Sequence, residues 1–209
     1  MEDKGIKFAV FLLIITIIRC GGDNLTGPSA GSAKRMVKDG WALYEIGEYN
    51  AALSKFNAAA RLNPSYADVY NGLGWTHFAL HNIKQAAIQF NTGVDKAPNS
   101  LDILVGYSFA LYESKNYSLE NGALKWALKA IEVDSTEFDM DGVDYYFVHN
   151  PKVTAKELKK IMALSYFYLG KFEDSYYQVK NYLNGYTLDT SSPDFPSNLL
   201  KELDRVCND

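Results

Sequence analysis

Apolar positions along the chain fall into three regimes. Phe8 to Ile18 is an apolar run interrupted only by Thr16. From about residue 33 to 184, apolar and small residues recur at a fixed interval, with Gly40, Ala52, Phe56, Ala59 and Pro64 answered by Gly74, Ala86, Phe90, Gly93 and Pro98, 34 residues later. After Pro196, Leu199, Leu200, Leu203 and Val206 share one face of a short amphipathic helix. A repeated interval of this size predicts stacked supersecondary units, each a pair of helices that cannot bury its apolar face alone. Within a unit, glycine on the first helix and alanine on the second permit a close crossing. Phe56 and Phe90 fill the seams between units, and Pro64 and Pro98 end each second helix.

Two further units follow in looser form. Leu104, Tyr107, Ser108 and Leu111 hold the first-helix slots of the third. Ala123, Ala127 and Ala130 hold its second-helix slots, after a lengthened turn, and Ser135 replaces the closing proline. In the fourth, Ala163 and Ser175 take the small slots, Tyr166 the aromatic one and Gly170-Lys171-Phe172 the turn. Thr154 and Glu157 have the spacing of a capping box at its start. These residues resemble the tetratricopeptide repeat, W-x2-L-G-x2-Y, then A-x3-F, then P, at a period of 34. The expected architecture is all-α, a solenoid of about four helix-turn-helix repeats with a C-terminal capping helix. Its repeats span residues 33–66, 67–100, 101–135 and 154–184, with an insert over 136–153 and a loop and cap over 185–209.

The first 20 residues place Lys4 and Lys7 before the apolar run, the order of a secretory signal. A helix of that run would be about 16 Å long, about half the hydrocarbon core of a bilayer. Cys20 ends the segment and is followed by residues 21–32, of linker composition. This resembles a bacterial lipoprotein signal, which implies lipidation of Cys20 and an anchor in an envelope membrane, facing the periplasm. Arg19 stands where that pattern has a small residue. An uncleaved anchor, or cleavage near Ala30 or Ala33, are the alternatives. An unlipidated Cys20 is free to pair with Cys207.

Composition narrows the function. Hydrophobic residues make up 47% of the 209 and the net charge is -4, which suits a folded chain and argues against a nucleic-acid surface. No phosphate loop, G-x-S-x-G or Cys-His arrangement occurs, so the chain reads as non-enzymatic and without cofactor. His77 and His81 are four apart, but Phe78 stands where a zinc protease has its glutamate. Glu137, Asp139, Asp141 and Gly142 imitate a calcium loop, yet Val148 occupies the place of its bidentate glutamate. Both read as structural.

The unusual feature is 14% aromatic residues, with 15 Tyr and 11 Phe. In the tetratricopeptide family, positions one and four after the small slot of helix A face the concave groove. Here they are Trp41 and Tyr44, Trp75 and Phe78, Phe109 and Tyr112, and Leu164 and Phe167. The resemblance thus implies an aromatic groove that binds an apolar or aromatic peptide or helix of a protein partner. Trp41 occupies the slot of the Asn with which some relatives grip a terminal carboxylate. A glycan or small-ligand receptor, or an accessory subunit of an envelope complex, are the other readings. The groove is either open or covered by the chain's own insert or terminal helix, whose Phe138, Tyr145, Tyr146, Phe147 and Phe195 suit that purpose.

Overall fold

The computed structural model describes residues 28–133, 145–180, 183 and 187–208. The expected leader, Cys20 and the acidic stretch from Glu137 to Gly142 lie outside the described residues. Four antiparallel helix pairs run in chain order. They are α1 (Pro28–Glu45) with α2 (Tyr49–Leu62), α3 (Ala67–Ala79) with α4 (Ile83–Lys96), α5 (Leu101–Glu113) with α6 (Ala123–Val133), and α7 (Ala155–Tyr168) with α8 (Phe172–Val179). A hairpin of β1 (Tyr146–Phe147) and β2 (Asn150–Thr154) precedes α7, and α9 (Phe195–Asn208) ends the chain. No helix among the described residues is long and apolar enough to cross a membrane.

Each pair packs on the next through α2 against α3, α4 against α5 and α6 against α7. The first helices also touch in sequence, α1 with α3, α3 with α5 and α5 with α7, while no such series links the second helices. The stack therefore closes toward its first-helix side, and that row forms the inner face.

The seams explain the small residues. Phe56, fully buried, is wedged between two glycines, Gly40 of its own repeat and Gly72 of the next. Phe90 sits likewise between Gly74 and Gly106. A Cβ added at Gly40 would lie 2.8 Å from the Phe56 ring, and one at Gly74 2.6 Å from Phe90. The nearest neighbours of Gly40 and Gly74 are thus phenylalanine rings, not the alanines that spacing suggested. The third seam exchanges the sizes. Ala127 holds the phenylalanine slot on α6, and Ile161 of α7 holds the slot of Gly72 and Gly106. Ile161 is buried with Leu111 and Ala123. Where serine replaces the small slot, its hydroxyl is satisfied across the pair. Ser108 Oγ donates to the Ala123 carbonyl at 3.0 Å and Ser175 Oγ to that of Ala163 at 2.7 Å.

The fourth pair begins as the T-x-x-E spacing predicts, with the Glu157 N–H donating to Thr154 Oγ1 at 3.4 Å. The Glu157 carboxylate pairs with buried Lys160 at 3.2 Å. Beyond it, α9 lays Phe195, Leu199, Leu203 and Val206 on α7 and α8. Leu200, expected on that face, points outward and is 48% exposed.

Candidate functional site

The eight groove residues all lie on the first helices, at equivalent turns of α1, α3, α5 and α7. They do not form one open ladder. The chain covers the row at both ends and leaves its middle part-exposed.

The hairpin seats on the N-terminal end. Tyr145 and Phe147 are buried while Tyr146 between them is exposed, the alternation of a strand lying face down; Val148 and His149 form the turn into β2, where Val153 is buried. Phe147 stacks on Trp75 with ring centroids 4.7 Å apart and planes 20° apart, and meets Trp41 edge-on at 5.6 Å. His149 stacks on Trp41 at 4.0 Å and 4°, and its Nδ1 lies 2.7 Å from Glu45 Oε1. Tyr145 donates its hydroxyl proton to Asp102 at 2.9 Å. Burial pushes the Tyr44 phenol up to about 12, and the neighbouring Asn150 side chain opposes that rise. Burial likewise holds the Asp102 carboxyl above the usual carboxylate range. The Tyr145 bond and nearby His149 oppose that rise, and Asp68 adds to it. Trp41, Tyr44 and Trp75, predicted as binding rings, are therefore core residues 1–5% exposed. The Trp41 indole donates to Asp68 at 3.3 Å, whereas Trp75 Nε1 is buried with no partner. Beside the hairpin tip, a cavity of about 390 Å³ is bounded by Lys34, Lys38, Trp41, Tyr66, Asp68 and His149.

At the other end, Leu164 and Phe167 pack against the α9 cluster. Between the two covers lies a half-buried window of Phe78, Phe109 and Tyr112. Phe78 and Phe109 meet at 6.3 Å. Tyr117 bridges the next rings, 5.6 Å from Tyr112 and stacked on Tyr168 at 4.7 Å and 18°. Tyr168 is 57% exposed. Desolvation, then the neighbouring phenols of Tyr168 and Tyr117, raises the Tyr112 phenol. The window is ring-lined, with the phenols of Tyr112, Tyr117 and Tyr168 along one side.

The described part of the insert is the expected packed excursion, two short strands joined by a turn at Val148–His149, and it makes the groove covered rather than open at this end. Sequence reasoning missed His149, Asp68 and Asp102. His149 finds its carboxylate partner 104 residues away in sequence, with no local signal. Asp68 and Asp102 were within reach, since both are the second residue of a first helix, 34 apart. His77 is half-buried with Nδ1 unpartnered, and burial lowers its pKa. His81 lies in the turn at φ 57°. No group of three His, Cys, Asp or Glu that could hold a metal occurs among the described residues.

Residues 40–80 match the family described as TPR repeat. No curated protein matches the chain. Solved structures with the same fold include one from the functional characterisation of PilF of Pseudomonas aeruginosa, 16% identical, with a TM-score of 0.59 over 85% of this chain and 71% of that one. YrrB, described as a TPR protein with an unusual peptide-binding site, is 15% identical, with a TM-score of 0.58 over 85% and 87% of the two chains. TTC0263, a thermophilic TPR protein of Thermus thermophilus, is 23% identical, with a TM-score of 0.52 over 84% and 82%.

Proposed function

We propose that this chain of the tetratricopeptide-repeat family is a non-enzymatic protein-protein interaction scaffold, held at a bacterial envelope membrane by lipid on Cys20, whose inner face binds an apolar or aromatic peptide or helix of a partner. The observation that supports it is the ring row itself. Four successive first helices present bulky apolar side chains at equivalent turns, and Phe78, Phe109 and Tyr112 stay part-exposed between the two covers. Such rings supply large contact area at low entropy cost, which is what peptide anchoring uses. A sugar site needs polar groups beside each ring. In the window Phe78 and Phe109 instead meet ring to ring, which favours the peptide reading over the glycan one. The fold of YrrB, described with a peptide-binding site, supports the same class.

A photo-crosslinking residue in place of Tyr168, in the native envelope, tests the reading. A discrete protein adduct is expected, lost when Phe78 and Phe109 are changed to Ala with helical circular dichroism retained. An adduct indifferent to those changes contradicts it. Cys20→Ser is expected to move the chain from the membrane to the soluble fraction, and unchanged partitioning removes the lipid anchor.

A further inference from the structure

The rim of the groove beyond the hairpin carries charge that the chain itself leaves unused. We propose that the cavity beside Trp41 is a second anchor point for the partner, and that it receives a segment with a carboxylate side chain next to a bulky apolar one, the acid being recognised by Lys34 and Lys38. The inference rests on the scaffold reading and specifies the chemistry of its partner.

Two lysines and two acids border this cavity, but they differ in availability. The acids are already engaged. Asp68 accepts from the Trp41 indole at Oδ2 and from the Asn71 amide at Oδ1, each at 3.3 Å. Glu45 holds His149 at 2.7 Å. The lysines are not engaged. Lys34 and Lys38 are exposed, and neither has an acid within ion-pair distance among the described residues. The acid beside them in sequence, Asp39, is taken by Lys55 of α2. Lys129 and Lys160, by contrast, each find a glutamate on their own helix.

Lys34 and Lys38 stand four residues apart on α1, so their ammoniums share a face and repel. A carboxylate between them removes that repulsion and offers an oxygen to each. Behind them Val37, Trp41 and Tyr66 give the cavity apolar walls. A bare ion gains nothing from those walls. An apolar side chain beside the acid covers them, and by excluding water it strengthens the ion pairs. A bilayer surface, being flat, meets the lysines but not the walls. The cavity also lies on the first-helix row that leaves Phe78, Phe109 and Tyr112 part-exposed, so one partner can engage both places.

The full chain in detergent is titrated into two rhodamine-labelled peptides with amidated C-termini, Ala-Phe-Glu-Phe-Glu-Ala and Ala-Phe-Gln-Phe-Gln-Ala, and binding is read by polarisation. The glutamate peptide is expected to bind about fivefold more tightly, as two ion pairs at a solvent edge allow. Lys34→Gln/Lys38→Gln is expected to remove that preference with helical circular dichroism unchanged. Lys125→Gln/Lys129→Gln, an equal change of charge on α6, is expected to keep it. No preference in the natural chain, or one that both variants keep or lose alike, overturns the proposal. So does indifference between the peptides when Lys34→Gln/Lys38→Gln releases the Cys20→Ser chain from phosphatidylglycerol vesicles, which assigns the pair to a membrane surface. Crosslinking at Tyr168 tests the scaffold separately. A partner adduct there without a glutamate preference here refutes this inference alone, whereas no adduct sinks the scaffold.

Discussion

The two halves of the array solve the same two problems with opposite residues. In repeats one and two each seam is a ring between glycines, Phe56 between Gly40 and Gly72, Phe90 between Gly74 and Gly106. In repeats three and four, Ala127 holds the ring slot and Ile161 the glycine slot. The covers differ as well. Over the N-terminal half lies a short hairpin held by ring stacks. Over the C-terminal half lies α9, a 14-residue helix with a continuous stripe of Leu199, Leu203 and Val206 against α7 and α8. A helix that buries a full apolar stripe behaves as part of the core. The hairpin instead sets Tyr145, Phe147 and His149 against the helices and leaves Tyr146 and Val148 in water. The same groove is thus closed by a helix at one end and by a hairpin at the other.

The largest expected effect tests α9. Leu203 is fully buried, so Leu203→Ala should cost about 2–5 kcal/mol in urea unfolding. A loss under about 1 kcal/mol would make α9 as dispensable as the hairpin and erase the contrast. Next is the seam. An alanine at Gly72 gains about 1 kcal/mol of helix propensity, but its Cβ would clash with the edge of the Phe56 ring. Phe56 has no retreat, because Gly40 presses it from the other side. Overpacking of about 1–3 kcal/mol or more therefore wins, and a net loss is expected. Gly31→Ala on α1, with open space around it, should stabilise instead. The two signs, read in one denaturation series, check the seam directly.

The smallest effect is a pH dependence. Asp102 has its carboxyl raised by burial under Tyr145, with Asp68 reinforcing and His149 opposing. A raised acid binds its proton more tightly folded than unfolded. Stability should then fall as pH rises from the ordinary aspartate value through the raised one. Asp102→Asn keeps an acceptor for the Tyr145 hydroxyl and removes the charge, so it should abolish that decline. Urea midpoints across pH 3 to 7 for both chains decide it, and a decline persisting in the variant assigns it elsewhere.

Most of the architecture was legible because it follows from a period. Thirty-four residues separate Gly40 from Gly74 and Phe56 from Phe90, and sterics leave few other uses for such a set. The second glycine of each wedge, Gly72 and Gly106, obeys the same interval and needed only the three-dimensional fact that a ring has two sides. The groove was legible as a list of rings but not as a site, since a side chain's exposure depends on what folds over it. Tyr145 and Phe147 stood out as candidates to cover it. Nothing local to His149 points to Trp41 or to Glu45, 104 residues away. Packing of that kind is set by topology, and periodicity within a helix carries no trace of it.

One measurement bears most directly on the hairpin as a cover separable from the helical core. With Trp126→Phe as background, only Trp41 and Trp75 report. Phe147→Ala should make their fluorescence red-shifted and freely quenched by acrylamide, while the thermal midpoint of the helical signal moves by no more than a few degrees. Unchanged quenching, or rings exposed only together with loss of the helices, would make the hairpin an inseparable part of the core and contradict the account.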